Sequence, residues 1–213
     1  MEYINDVFIS YKRGWINEQW LEQIFLPHFK EYLNELLPNP PVIFVDKTGL
    51  IAGVDFSQEL FRNLVYSRSF VSIWSPPYFR RSEWCVKEFL TMKYQQELYQ
   101  IAPGGTPPTL IFPLLLRKLI DPIPSMIQNI HYLDYCEFNV VGDPFFKSDL
   151  YLKFQRKLSE DVSKIADIIN NAPALHNDLK TSQGQTKIAA EINTYLSNNE
   201  GDFNLPKQGL ISW

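Results

Sequence analysis

Five short apolar runs recur along the first 170 residues of the chain, each too short to form an amphipathic helix. Polar residues do not alternate with apolar ones within these runs, a pattern that is typical of strands buried on both faces. The pattern therefore predicts strands at residues 6–11, 42–45, 70–74 and 109–115, and a weaker one at residues 130–135.

Apolar residues between these runs return every three or four positions, which predicts amphipathic helices. The longest helix is predicted at residues 15–37, and shorter ones at residues 56–66, 82–98 and 150–169. Pro27 falls within the first helix and should kink or split it, because proline lacks the amide hydrogen and clashes with the preceding turn.

Strands that alternate with helices at these spacings predict an α/β fold with right-handed crossovers. Five strands make a small flavodoxin-like fold, which is a doubly wound parallel sheet. Ligands of such a sheet bind at the carboxyl edge of the strands, here where loops follow Tyr11, Val45 and Trp74.

The composition of the chain changes after Asn170. Residues 1–170 contain every predicted strand and are interpreted as one α/β domain. Residues 171–185 are polar and contain Pro173 and Gly184, which predicts a linker. A single short helix is predicted at residues 186–196, so residues 171–213 are interpreted as a polar linker or tail.

Composition and charge argue against several classes of protein. The chain has 20 Lys and Arg residues against 24 Asp and Glu residues, a net charge of −4, which disfavours binding to nucleic acid or to an anionic membrane surface. Its two cysteines are too few for a disulfide framework. Because no signal peptide and no long apolar span are visible, we expect a cytoplasmic protein.

Several common ligand and catalytic motifs have no counterpart in the sequence. It contains no phosphate-binding loop, no dinucleotide-binding glycine motif and no nucleophile elbow. His28, His131 and His176 stand far apart, with no cysteine or second histidine at ligand spacing, so neither a metal nor a cofactor is predicted. Any catalysis must therefore depend on carboxylates.

One segment combines an aromatic residue with a carboxylate. Trp84 and Glu88 are four residues apart in the predicted helix 82–98, so their side chains share one face of it. Such a pair near a helix N-terminus suits a cationic aromatic ring attached to a sugar. The same pair is also typical of an ordinary amphipathic helix, half core and half solvated surface.

Three motifs resemble those of Toll/interleukin-1 receptor (TIR) domains. Residues 6–13, DVFISYKR, look like the opening strand motif of the family. Residues 44–46, FVD, with the loop from Gly49 to Phe56, are similar to its second motif and BB loop. Residues 73–76, IWSP, and then S-x-W-C-x-x-E at residues 82–88, resemble the third strand and next helix of NAD⁺-consuming members of the bacterial type. The resemblance covers residues 3–169.

The resemblance implies a glycohydrolase that cleaves the nicotinamide–ribose bond of NAD⁺, which is then a substrate and not a cofactor. Glu88 matches the catalytic glutamate of the family, and Trp84 matches an aromatic residue that stacks on the substrate. Nicotinamide departs as a neutral molecule, so no general acid is required. One ionised carboxylate that faces an open pocket is sufficient to stabilise the positive charge that builds on the ribose.

The resemblance also implies a substrate cleft at the carboxyl edge of the sheet. It places Phe8, Ile9 and Ser10 at the floor of the cleft, and Arg13 and Lys12 beside the diphosphate. Each of the two cations is equally typical of a solvated loop. Further substrate contacts are expected from Asp46, Phe56, Trp74 and Ser75. The match of Phe56 requires one inserted residue after Gly53.

In the family the BB loop docks against a neighbouring TIR domain and helps to assemble the active site. Gly49 and Gly53 give this loop its backbone freedom. Self-association is therefore the expected switch, and mass action makes activity dependent on concentration. The family further implies the role of an effector in antiphage defence.

Two alternatives to this enzyme are open. A non-catalytic TIR–TIR adaptor or virulence module only binds other TIR domains, and such proteins commonly lack the acid found here as Glu88. A nucleoside deoxyribosyltransferase-like enzyme shares the sheet and also uses a glutamate, but residues 10–13 and the pair Trp84–Cys85 fit a TIR domain better. The sequence does not decide between a linear and a cyclic product, and it identifies neither the activating signal nor the geometry of an oligomer.

Overall fold

The five strands form one parallel sheet. The computed structural model describes residues 2–45, 56–100 and 109–203. The strand order is β2-β1-β3-β4-β5, and every pair of neighbours is parallel. With helices on both faces, this is the doubly wound flavodoxin-like arrangement, so the predicted fold is confirmed. The strands are β1 Asn5–Tyr11, β2 Ile43–Val45, β3 Ser67–Trp74, β4 Ile111–Leu115 and β5 Leu133–Asp134.

The helices follow the predicted pattern, with short additions. The described helices are α1 Trp15–Gln19, α2 Leu26–Leu36, α3 Phe56–Val65, α4 Pro76–Arg80, α5 Glu83–Gln100, α6 Asp143–Phe146, α7 Asp149–Asn170, α8 Asn177–Lys180, α9 Ser182–Asn198 and α10 Glu200–Phe203. The sequence analysis missed α4, because its two prolines resemble a stop signal. Pro76 and Pro77 instead occupy the first turn, where a missing amide hydrogen costs nothing.

Pro27 does not break the first helical segment. The chain runs from α1 through a π-helical stretch, Trp20–Phe25, directly into α2. Pro27 is near the start of α2, and the wider π-helical turns before it accommodate the carbonyl with which its ring would clash in a regular α-helix. The helix therefore changes its winding instead of ending.

The two faces of the sheet carry different cores because side chains alternate along each strand. Val7 and Ile9 pack in one core with α2 and α7. Phe8 and Phe70 pack in the other core with α3 and α5, where the ring of Phe8 lies between those of Phe70 and Phe44. This second core underlies the candidate site.

Small polar residues replace the aromatic ones nearer the carboxyl edge of this second face. Ser10 of β1 stands opposite Ser72 of β3 in the strand register, one step beyond the pair Phe8 and Phe70. Both serines are buried. Their small side chains leave space beneath α5 for side chains that descend from that helix.

The segment after Asn170 differs from the polar linker that the sequence predicts at residues 171–185. Leu175, which precedes α8, and helices α8, α9 and α10 bury apolar side chains in the core that contains α5. The helical ones are Leu179, Ile188, Ile192 and Phe203. The hydroxyl of Tyr3 donates to the carbonyl of Pro173 (2.9 Å), and the Asp202 carboxylate accepts from the hydroxyl of Ser125 (2.5 Å). Residues 171–203 therefore pack as part of the domain.

Two further properties concern only the part of the chain that the structure describes. No helix there is both long enough and apolar enough to cross a membrane. No group of three or more His, Cys, Asp or Glu side chains there is arranged to hold a metal ion.

Candidate active site at the carboxyl edge of the sheet

Glu88 descends from α5 towards the carboxyl end of β1. Its carboxylate oxygen Oε2 accepts a hydrogen bond from the hydroxyl of Ser10 at 2.5 Å. The two residues are 78 positions apart in sequence, and both are buried. The fold therefore brings Ser10, from the first motif, into direct contact with Glu88, from the last motif.

A third residue, Tyr78 of α4, extends this contact. Its phenolic oxygen lies 2.7 Å from the Ser10 oxygen, and its ring is fully buried. The turn after β3 positions it, because Ser75 and the two prolines start α4 immediately at the sheet edge and the amide of Tyr78 donates to the carbonyl of Ser75 at 2.9 Å. Tyr78, Ser10 and Glu88 thus form a continuous chain of hydrogen bonds, which we call the Tyr78–Ser10–Glu88 chain.

The surroundings of the Tyr78–Ser10–Glu88 chain keep Tyr78 and the nearby Cys85 protonated at neutral pH. Burial raises the pKa of the Tyr78 phenol well above its ordinary value, and the nearby Cys85 and Glu88 add to this effect. Burial and the proximity of Glu88 likewise raise the pKa of the Cys85 thiol. The positive charge of Lys12 opposes that rise in the pKa of Cys85.

Trp84 lies half-buried one turn before Glu88 on α5 and packs against the core. The ammonium nitrogen of Lys87 lies 5.8 Å from the centroid of its ring and 3.1 Å from a carboxylate oxygen of Glu83. Lys87 is only 1% exposed. A buried lysine thus fixes the position of the aromatic residue that the resemblance assigns to substrate stacking.

The end of β3 contributes further buried polar groups. Trp74 and Ser75 are buried, and neither the indole nitrogen of Trp74 nor the hydroxyl of Ser75 has a hydrogen-bond partner among the described residues. The hydroxyl of Ser72 is in the same situation. The ring of Trp74 contacts those of Phe79 and Tyr132.

Two residues predicted at the floor of the cleft are not there. Ile9 points to the opposite face of the sheet and packs with α2 and α7, because successive side chains of a strand alternate between faces. Phe8 has the correct face but is fully buried between the rings of Phe44 and Phe70. Of the three predicted floor residues, Ser10 lies on the face of the sheet that Glu88 approaches and donates a hydrogen bond to it.

The structure describes only some of the predicted charged and loop residues. Lys12 and Arg13 are partly exposed just after β1, and the carbonyl of Lys12 accepts from the side-chain amide of Asn17 at 2.8 Å. Asp46 and the BB-loop positions 49–55 lie outside the described residues. Phe56 begins α3, and its side chain is also outside the described part.

The access to Glu88 differs from the sequence-based expectation of an open pocket. Glu88 is 5% exposed. Three cavities lined by described residues lie elsewhere: at the amino ends of β1 and β3, between α3 and α9, and between α5 and α9. The described part of the site is therefore a buried carboxylate that accepts a hydrogen bond from Ser10, with a half-buried indole one turn earlier on the same helix. A buried anion of this kind is suited to stabilise a cation that forms beside it.

The sequence analysis missed Tyr78 and Lys87. Tyr78 follows two prolines and carries no periodic signal that would place it in a buried position. Lys87 stands between two buried residues, Val86 and Glu88, and a lysine is rarely fully buried unless it is paired. The spacing of Glu83 and Lys87, i and i+4, was the available signal for that pair.

The chain is similar in structure to proteins whose structures have been solved. No protein-family model matches the chain, and no curated protein matches its sequence. The TIR domain of the Toll-related receptor TRR-2 from Hydra magnipapillata is similar with a TM-score of 0.44 and 20% identity, over 71% of this chain and 98% of that one. The TIR domains of the activated Roq1 resistosome, which directly recognizes the pathogen effector XopQ, are similar with a TM-score of 0.36 and 22% identity, over 91% of this chain and 98% of that one. Both are TIR domains, the family that the three motifs resemble, and the likeness concerns the fold.

Proposed function

We propose that the chain is a TIR-type NAD⁺ glycohydrolase in which Glu88 is the catalytic residue. The observation that carries the proposal is the position of Glu88 on α5, held by Ser10 at the carboxyl edge of the sheet. Ligands of a doubly wound sheet bind at this edge. The half-buried Trp84, one turn earlier on the same helix, supports the proposal because it offers an aromatic surface beside the carboxylate.

The proposed reaction breaks one bond and forms one. The bond between C1′ of the ribose and the ring nitrogen of nicotinamide breaks, and its electron pair stays on the nitrogen, so nicotinamide leaves as a neutral molecule. The positive charge passes to C1′ and the ribose ring oxygen. The Glu88 carboxylate stabilises this charge, and its burial strengthens the attraction because the local dielectric is low. Water adds to C1′ and loses a proton to give ADP-ribose, whereas attack by an adenine nitrogen gives a cyclic product.

The remaining proposed contacts concern the rest of the substrate. Lys12 and Arg13, at the end of β1, supply positive charge for the diphosphate. The indole nitrogen of Trp74 and the hydroxyl of Ser75 are buried polar groups that gain from a ligand's hydrogen bonds, since none of the described residues satisfies them. Asp46 and Phe56 remain proposals from the motif resemblance alone.

A second candidate function is a non-catalytic module that binds other TIR domains. The observation in its favour is the 5% exposure of Glu88, because a catalytic carboxylate must contact the ribose. In this second function Glu88 only ties α5 to β1 through Ser10. The enzyme should therefore lose NAD⁺ turnover when the charge of Glu88 is removed, whereas the adaptor should not cleave NAD⁺ with or without that charge.

The decisive experiment is chromatography of the products after NAD⁺ is incubated with concentrated purified protein. We expect the wild-type protein to release nicotinamide and Glu88→Gln to lose at least about 100-fold in rate. Glu97→Gln, an exposed position on the same helix, is the matched control and should keep the wild-type rate. No turnover by either protein would favour the adaptor, whereas equal turnover by the wild type and Glu88→Gln would remove Glu88 from the mechanism.

We also propose that self-association through the loop from Gly49 to Phe56 completes the active site, and that the protein acts in the cytoplasm as an antiphage-defence effector. Mass action then makes turnover per molecule rise with protein concentration. A bulky residue in place of Gly53 should weaken self-association in sedimentation experiments without unfolding the domain. Turnover per molecule that is constant over a hundredfold concentration range would contradict this regulation.

A further inference from the structure

We propose that Tyr78 and Ser10 are positioning residues, which hold the Glu88 carboxylate in its reactive orientation through the Tyr78–Ser10–Glu88 chain. This inference rests on the proposed function, because it concerns the orientation of the proposed catalytic group. It changes the role expected for Ser10 from substrate contact to support of Glu88. It also gives a role to Tyr78, which no sequence motif identified.

The direction of the hydrogen bonds follows from the chemistry of the three groups. An ionised carboxylate only accepts hydrogen bonds, so the single hydrogen of the Ser10 hydroxyl points to Glu88. The Ser10 oxygen is then available as an acceptor, and the phenol of Tyr78 donates to it at 2.7 Å. A hydroxyl that receives a hydrogen bond is a better donor, so Tyr78 strengthens the bond from Ser10 to Glu88.

The protonation of Tyr78 agrees with this direction. Burial raises the pKa of its phenol well above the ordinary value, and the nearby Cys85 thiol and Glu88 carboxylate raise it further. Tyr78 therefore keeps its hydrogen at neutral pH, where it can donate to Ser10.

The Tyr78–Ser10–Glu88 chain also ties together three separate elements of the fold. Ser10 is at the end of β1, Tyr78 is in α4 and Glu88 is in α5. All three side chains are buried, so solvent does not compete for their hydrogen bonds. A carboxylate anchored in this way meets the developing cation without first having to reorient, which is the property that lowers a barrier by preorganisation.

The strand next to Ser10 provides a matched control for its substitution. Ser72 stands opposite Ser10 in the register of β1 and β3, and it is equally buried. Its hydroxyl has no hydrogen-bond partner among the described residues. We expect Ser10→Ala to lower kcat by about 10- to 100-fold with little change in KM, because it removes a hydrogen bond to a charged group. Ser72→Ala should keep the wild-type kcat.

Tyr78 has a control of its own in another buried tyrosine. The hydroxyl of Tyr135 donates to Asp161 at 3.0 Å in the opposite core, far from Glu88 in the fold. We expect Tyr78→Phe to lower kcat by about three- to tenfold with unchanged KM, and Tyr135→Phe to leave kcat unchanged. The double variant Ser10→Ala/Tyr78→Phe should have the kcat of Ser10→Ala alone, because Tyr78 acts only through Ser10.

A measurement that does not depend on turnover completes the test. The carboxyl carbon resonance of Glu88, assigned from its loss in Glu88→Gln, should shift in both Ser10→Ala and Tyr78→Phe but not in Ser72→Ala or Tyr135→Phe. If NAD⁺ cleavage requires Glu88 while Ser10→Ala and Tyr78→Phe keep the wild-type kcat and resonance, the positioning role is wrong and the proposed function survives. If cleavage does not require Glu88, the proposed function itself fails.

Discussion

The ammonium nitrogen of Lys87 lies 3.1 Å from a carboxylate oxygen of Glu83, and the lysine is 1% exposed whereas the glutamate is 19% exposed. The pair is therefore asymmetric. Glu83 retains contact with solvent, while the Lys87 ammonium has been removed from water and depends on partners within the protein. Because the same ammonium lies over the Trp84 ring, the pair also links the stability of α5 to the position of that indole.

This asymmetry predicts a large effect of removing the charge of Glu83. Glu83→Gln takes away a carboxylate that compensates a buried cation, so we expect the free energy of unfolding to fall by about 2–4 kcal/mol in urea titrations. Glu191→Gln is the control, because Glu191 forms an i,i+4 pair with Lys187 on α9 in which both side chains are exposed. We expect its effect to stay below about 0.5 kcal/mol. Similar losses in the two variants would show that Glu83 does not compensate Lys87.

Hydrophobic pattern alone predicted the five strands and the long helices between them, because buried parallel strands and amphipathic helices are both governed by periodicity. The alternation of side chains along a strand could also have excluded Ile9 from the cleft. Alternation along β1 sends Val7 and Ile9 to one core and Phe8 and Ser10 to the other, so Ile9 and Ser10 cannot line the same cleft. The motif resemblance treated neighbours in sequence as neighbours in the site.

The contacts of the site itself could not be predicted from one sequence. The contact between Ser10 and Glu88 spans 78 residues, and that between Ser10 and Tyr78 spans 68. Such pairings depend on how α4 and α5 are seated on the sheet, which no local pattern encodes. For the same reason the polar composition of residues 171–185 predicted a linker, although Leu175 and Leu179 are sufficient to anchor it.

The anchoring of the C-terminal helices predicts that they contribute to the stability of the whole domain. Leu179 of α8 is fully buried in the core that contains α5, and Leu179→Ala should lower the free energy of unfolding by about 2–5 kcal/mol. Leu152→Ala is the control, since Leu152 is exposed on α7. We expect a single urea transition for each variant. A separate early transition in Leu179→Ala would instead show that residues 171–203 unfold as an independent unit.

Alanine substitutions at two glycines, Gly184 and Gly201, should have opposite effects on the stability of the domain. A Cβ atom at Gly184 would lie 1.9 Å from the carbonyl oxygen of Asp178, which is backbone and has little freedom to move. Gly184→Ala should therefore lower the melting temperature, at a cost of about 1–3 kcal/mol, despite the higher helix propensity of alanine.

Gly201 supplies the comparison, because a Cβ atom there meets nothing within 4 Å. Gly201→Ala should leave the melting temperature unchanged or raise it slightly, by the gain in helix propensity. A rise in melting temperature for Gly184→Ala would show that α8 and α9 are not packed as closely as described.

The two cysteines predict a simple pattern of thiol reactivity. Cys85 is buried, and its burial together with the neighbouring Glu88 raises the pKa of its thiol, so it should not react with Ellman's reagent in the folded protein. Cys136 is partly exposed, and partial burial followed by the effect of Asp134 raises the pKa of its thiol to about 11. Only the thiolate reacts, so at pH 8 we expect Cys136 to react about 10- to 100-fold more slowly than free cysteine.

The pH dependence of that rate tests the shift directly. Below its pKa the thiolate fraction grows tenfold with each pH unit, so the rate of Cys136 should still be rising at pH 10, where a thiol of ordinary pKa has levelled off. Asp134→Asn removes a negative charge and should speed the reaction at pH 8, while Cys136→Ser should leave no reactive thiol until urea exposes Cys85. A rate that levels off by pH 9, or two thiols that react in the folded protein, would contradict the environments described for these cysteines.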